Sequence, residues 1–242
     1  MKRTYLPALL VVASAGTAAA QATSPTVDQI LAKYVQALGG KGAYEKLTSR
    51  VTTGTLEAPS EGVTAQVSVF AKAPDKSLIV VETPGGGRLQ QGCDGRTAWS
   101  DNPLGGVREI SGQELSVTRR SAVFHQATKL RELYPKMTLK GTEKVGEQDT
   151  YVIEADPGDG SLRRLYFDVS SGLMLRSVIE RDTETGRGAF ELTLENYRDV
   201  DGIKLPFVVR AQSPGTSYVI RVSEVKHNVP IEDAKFSKPV TP

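Results

Sequence analysis

The sequence predicts a mainly β fold, a single closed or half-closed antiparallel barrel of eleven or twelve short strands interrupted once by helix. Three observations carry this. Val63 to Asn102 reads as four strands on tight turns. After Pro135 the chain is strand and turn at even spacing almost to its end. Between them, Ser111 to Tyr134 changes to helical periodicity.

Taken in order, Met1 to Ala22 has the build of a secretory signal peptide. Lys2-Arg3 supplies its charged start, Leu6 to Ala13 its apolar centre, and Ala18-Ala19-Ala20 or Ala20-Gln21-Ala22 its small residues for cleavage. The apolar run is too short for a membrane anchor. One domain, residues 23–242, is expected to follow. Ser24-Pro25-Thr26 opens a helix in which Val27, Ile30, Leu31, Tyr34, Val35 and Leu38 share a face, and Gly39-Gly40 ends it. A short helix over Lys41 to Leu47 leads into a strand from Arg50 to Glu57.

Val63, Ala65, Val67 and Val69 then alternate with polar residues, as in a strand with one apolar face. Ala73-Pro74-Asp75, Pro84-Gly85-Gly86-Gly87 and Asp94-Gly95 turn the chain into the β-branched run Ser77 to Thr83, into Arg88 to Cys93, and into Arg96 to Ser100 with the only Trp. In the inserted segment, Ser111 and Glu114 stand at capping-box spacing and Pro135 stops the helices. The strands that follow run over Thr138–Val145, Tyr151–Ala155, Leu162–Val169, Leu173–Asp182, Ala189–Asp199, Pro206–Gln212 and Thr216–Lys226.

Loss of Lys2 and Arg3 from the 30 basic residues leaves 28 against 28 acidic ones, so nothing basic is left over for a phosphate backbone, and nucleic acid is not an expected partner. Arg119-Arg120 and Arg163-Arg164 read as solvated faces. Cys93 stands alone, which excludes an internal disulfide, and it lies far from the cleavage site, so no lipidated cysteine follows the leader.

Residues that could carry chemistry are few. Cys93 with His125 could form a nucleophile and base, but an ordinary strand cysteine and a surface histidine account for both. Nucleophile elbow, phosphate loop and zinc-helix motifs are missing from the sequence. Asp156-Pro157-Gly158-Asp159-Gly160 lacks the length and distal Glu of a calcium loop and reads as a turn. No catalytic residue, metal or cofactor is therefore expected. A large barrel with only 6% aromatic residues can leave an apolar concavity unfilled.

Three segments resemble the LolA/LolB-like outer-membrane lipoprotein-sorting family. They are Val69 to Lys76 followed by Asp94-Gly95-Arg96-Thr97-Ala98-Trp99; Tyr166 to Leu173; and Tyr197 to Pro206 with the closing Asn228, Ile231, Asp233 and Phe236. The resemblance covers most of the exported chain. It implies a half-open barrel of about eleven strands, with an N-terminal helix and inserted helices over a concave face that receives acyl chains. It also implies a periplasmic, non-enzymatic carrier of lipid or acylated lipoprotein. Its candidate partners are an inner-membrane donor and an outer-membrane acceptor, with peripheral membrane contact. Ala73 departs from the pattern, because such carriers place there an Arg that holds the helical lid. The alternative on the same fold is an envelope sensor or protein-interaction module. Choosing one strand face places the ligand against Val67, Val69, Leu78, Val80, Trp99, Phe124 and Leu175, with a one-residue register error inverting each choice.

Overall fold

The structure, a computed structural model, describes residues 24–103, 105–183 and 186–239. The expected signal peptide, residues 1–22, lies outside the described residues. Helix α1 (Val27–Ala37) starts on a capping box in which Thr26 accepts from the Gln29 N–H and Gln29 accepts from the Thr26 N–H. Its end meets the turn between two later strands. The Lys204 N–H donates to the Leu38 carbonyl at 2.9 Å, and a Cβ on Gly39 would lie 2.1 Å from the Gly202 carbonyl oxygen. Helix α2 (Lys41–Glu45) follows directly.

Thirteen strands form one antiparallel sheet among the described residues. The front wing is β1 (Ser49–Ala58), β2 (Val63–Lys72), β3 (Lys76–Glu82), β4 (Arg88–Cys93), β5 (Ala98–Asn102) and β6 (Gly106–Ile110). The rear wing is β7 (Lys136–Val145), β8 (Gln148–Asp156), β9 (Leu162–Asp168), β10 (Met174–Thr183), β11 (Gly186–Val200), β12 (Ile203–Ser213) and β13 (Thr216–His227). Every neighbour in the sheet is a neighbour in sequence except one pair, β1 with β13, which joins the wings at the middle. The free edges are β6 and β7. The sheet does not close, and the result is the expected half-open barrel with more strands than the expected eleven or so. The main addition is β6, in the stretch Pro103 to Ile110 that reads from sequence as irregular chain or a short strand.

The insert between the free edges contains α3 (Gly112–Ala122), a 3₁₀ turn and α4 (Leu130–Leu133). Ser111 caps α3 by position, but its side chain makes no capping bond, so the expected capping box does not form. Glu114 is taken instead by Arg108, which donates to its two oxygens at 2.9 and 3.0 Å. Helix α3 rests on β4 and β5 of the front wing and on β10 of the rear wing, bridging the seam.

Register separates the two sheet faces, because opposed residues in an antiparallel ladder share a face. Arg50, Ala71, Ser77, Cys93, Ala98 and Ile110 form one row across the front wing. Cys93, Ala98 and Ile110 are buried against Leu115 and Ala122 of α3, so this is the inner, helix-bearing face. The adjacent row, Val51, Phe70, Leu78, Gly92 and Trp99, points outward. There the C-terminal tail covers it with Ile231 and Phe236. In the rear wing, α1 and α4 press Ile30, Leu31, Tyr34, Leu130 and Tyr134 onto Ile153, Leu165, Phe167 and Met174.

Candidate functional site: a cationic cavity beside an open apolar face

The inner face is covered unevenly. Two rows of the front wing lie beyond the Cys93 row: Thr52, Val69, Ile79, Gln91 and Ser100, then Gly54, Val67, Val81 and Leu89. Ile79 is 40% exposed and Leu89 44%, the two exposed large hydrophobic residues among the described ones. Full burial of such a side chain is worth about 1.5–3 kcal/mol, and each of these forgoes part of that. A crevice of about 190 Å³ between α3 and the strands continues this surface, with Val117, Ile179 and Phe190 in its walls.

Under the helices the inner face is mostly apolar core, but polar groups gather at one cavity. A cavity of about 240 Å³ lies between α1, α2, β1, the insert and β9–β12. Arg50, Arg163 and Lys204 line it together with Tyr34, Tyr44 and Tyr197, and no carboxylate does. Arg163 is 7% exposed. Its Nε donates to Ser177 Oγ at 2.8 Å and its Nη1 to the Tyr134 hydroxyl at 3.1 Å. Arg50 reaches in from β1 with its guanidinium 5.8 Å from the Phe124 ring centroid. Burial pulls the Arg50 pKa down, which the nearby Tyr44 partly offsets. Burial likewise raises the Tyr34, Tyr44 and Tyr197 hydroxyls, so all three are neutral donors. The Tyr197 hydroxyl donates to the Met174 carbonyl at 2.7 Å.

The seven expected ligand residues are divided by the sheet. Val67 and Val69 face inward, and Phe124 lines the cationic cavity. Leu78, Val80 and Trp99 face outward under the tail, and Leu175 packs outward with Val152, Tyr166 and Val178. Register opposes Val67 to Val81 and Val69 to Ile79, so pairing them with Leu78 and Val80 was the one-residue slip. Trp99 is 2% exposed, lies over Gly92, and donates its indole N–H to the Phe236 carbonyl at 2.9 Å.

Cys93 and His125 are not brought together. Cys93 is fully buried beneath α3, where burial pushes its thiol pKa up, while His125 Nε2 lies 3.0 Å from the Leu47 carbonyl. The aspartates of the 156–160 turn are engaged within the protein. Asp156 accepts from the Gly158 N–H, and Asp159 accepts from Ser161 and pairs with Arg120 at 2.9 Å.

The polar lining of the cavity was missed, and its two arginines show why. Arg163-Arg164 read as a solvated pair, yet adjacent residues on a strand point to opposite faces, so both could not be solvated on one. Arg164 pairs with Glu180 outside, and Arg163 lies in the cavity. Arg50 carried no signal beyond sitting on an inward alternation. Beside Ala73, which departs from the Arg of the pattern the sequence resembles, backbone joins the insert to the β2–β3 turn: the Phe124 N–H donates to the Pro74 carbonyl at 2.9 Å. The Arg120–Asp159 pair and the Arg163–Tyr134 bond tie the insert to the rear wing.

No family model matches this sequence, and no curated protein matches it. Solved structures do share its fold. A DUF1329 family protein from Desulfovibrio piger superposes with a TM-score of 0.59 at 18% identity, covering 88% of this chain and 98% of that one. A LolA superfamily protein from Nitrosomonas europaea gives 0.56 at 17% identity over 89% and 99%. An outer-membrane lipoprotein-sorting protein domain from Vibrio parahaemolyticus, so described as putative, gives 0.55 at 15% over 86% and 93%. At these identities the likeness defines a fold, and the fold is LolA-like.

Proposed function

We propose that this protein is an exported, periplasmic carrier that shelters the acyl chains of a lipid or an acylated lipoprotein against its inner sheet face. The observation that carries the reading is an incompletely covered apolar strip on that face, with Ile79 and Leu89 exposed and Val69 and Val81 partly exposed on the concave side. The cavity beneath the helices, about 240 Å³, is smaller than the roughly 300–1,000 Å³ of drug-sized ligand pockets. A long chain would therefore lie along the open strands, against Val69, Ile79 and Leu89. Burying a fourteen-carbon chain at about 0.8 kcal/mol per CH₂ releases on the order of 10 kcal/mol before ordering costs. No reaction step is needed, and transfer to and from membranes or membrane-bound partners follows from the same contacts.

Native mass spectrometry after mild purification is expected to show bound lipid, and a fluorescent fatty acid is expected to be taken up. A bare mass with no uptake overturns the reading. A second reading is favoured by the small cavity volume: the same apolar strip contacts a protein segment, as in an envelope sensor. Under it the fatty acid does not bind, and substitution at Ile79 abolishes a protein complex instead.

A further inference from the structure

The cavity beneath the helices has more positive charge and more free donors than the fold requires. Arg50, Arg163 and Lys204 converge on it, and no acidic side chain lines it. Arg163 is committed to Ser177 and Tyr134. Arg50 forms no hydrogen bond or ion pair with a described residue, and neither the Tyr34 nor the Tyr44 hydroxyl forms a hydrogen bond with one. A cation taken from water without a counter-ion is costly. Arg50 and Arg163, with the exposed Lys204 beside them, give a potential around one small space that favours a negative charge. Planar guanidinium groups and phenol hydroxyls are the donors that match carboxylate and phosphate oxygens. The cavity also shares the Ser121 wall of α3 with the apolar crevice leading to the open strands.

We infer that this cavity is an anion-binding subsite, taking a carboxylate or phosphate group through Arg50, the Tyr34 and Tyr44 hydroxyls and Lys204. The inference deepens the carrier reading and rests on it for the rest of the ligand: it makes the cargo an anionic amphiphile whose charged group enters beneath the helices. Arg163, held by its neighbours, supplies charge without needing to move.

The test compares dodecanoate, dodecanol and inorganic phosphate, each titrated calorimetrically into the full exported chain at low salt and pH 8. Dodecanoate is expected to bind at least tenfold more tightly than dodecanol. Arg50→Gln and, separately, Tyr44→Phe are expected to erase most of that ratio while leaving dodecanol binding unchanged. Equal binding of the acid and the alcohol, or a ratio that neither variant alters, overturns the inference. If neither amphiphile binds, the carrier reading fails by itself. Phosphate then decides the subsite: binding that Arg50→Gln removes sustains it as a site for a free anion, and no phosphate binding overturns it. Tyr44→Phe keeps the ring that packs under α2, so it answers if the Arg50 variant does not fold.

Discussion

Both faces of the front wing carry apolar residues, and they differ in what covers them. Outside, Leu78, Val80 and Trp99 are sealed by Ile231 and Phe236, and the tail is fastened by Lys72, which donates to the Ile231 carbonyl at 2.7 Å and pairs with Asp233 at 2.8 Å. Inside, Val69, Val81, Ile79 and Leu89 run beyond the reach of α3 and stay partly open. The covered face holds the wing together, and the open face is available to a ligand. Residues of the same type therefore have opposite consequences when changed.

The sharpest way to break that comparison is at Phe236, which is fully buried on the outer face. Phe236→Ala is expected to cost about 3–5 kcal/mol of unfolding free energy in urea titration, with fatty-acid affinity of the folded fraction unchanged. Gly92→Ala comes next, because its new methyl would stand 2.4 Å from the Trp99 ring. Overpacking of that kind is expected to cost about 1–3 kcal/mol, again without effect on uptake. A loss of affinity in either variant would mean that the outer face also binds.

Ile79→Ser with Leu89→Ser should do the reverse. Stability is expected to move by about 0.5 kcal/mol or less per site, since both side chains are already partly wet. Fatty-acid affinity should fall roughly tenfold, about 1.4 kcal/mol, a fraction of the burial the pair can offer. Trp99 gives a smaller signal still. Its emission is expected to stay constant through a fatty-acid titration, because the indole sits under the tail on the face away from the ligand.

The weakest effect concerns pH. Hydrogen bonds from Lys72 and Lys76 hold the Asp233 carboxyl down at about 2. An acid depressed on folding contributes stability above its ordinary value of 3.8 and loses it as pH falls through about 2. The tail should therefore loosen slightly between those limits, read as a shift in Trp99 emission that Asp233→Asn abolishes. Exposure and salt screening keep the effect small.

The strands, their turns and α1 were legible because they rest on local rules: alternation, Gly and Pro turns, and the Thr26 to Gln29 cap. The faces were not. Leu78-Ile79-Val80-Val81 is apolar on both sides, so alternation could not say which side was inner, and only the distant tail decides that Leu78 and Val80 are buried outside. The cationic cavity was hidden for a related reason. Its lining is drawn from α1, α2, β1, the insert and β9–β12, and no single segment carries its charge pattern. Arg163 alone could have been suspected, from its place on a strand beside an outward-facing neighbour.

The one ladder between segments remote in sequence, β1 with β13, also sets the order in which the molecule can be completed. Each wing is a ribbon of hairpins whose contacts are short in sequence, and such ribbons form quickly. Thr53 and Ser223 in the joining ladder are 170 residues apart. Until Thr216–His227 is in place, β1 and β12 each present a raw edge, and edges of that kind recruit other strands. A nascent chain stopped before β13 would therefore be two sticky half-shells with no shared interior, and the last strand works as the clasp that turns them into one vessel.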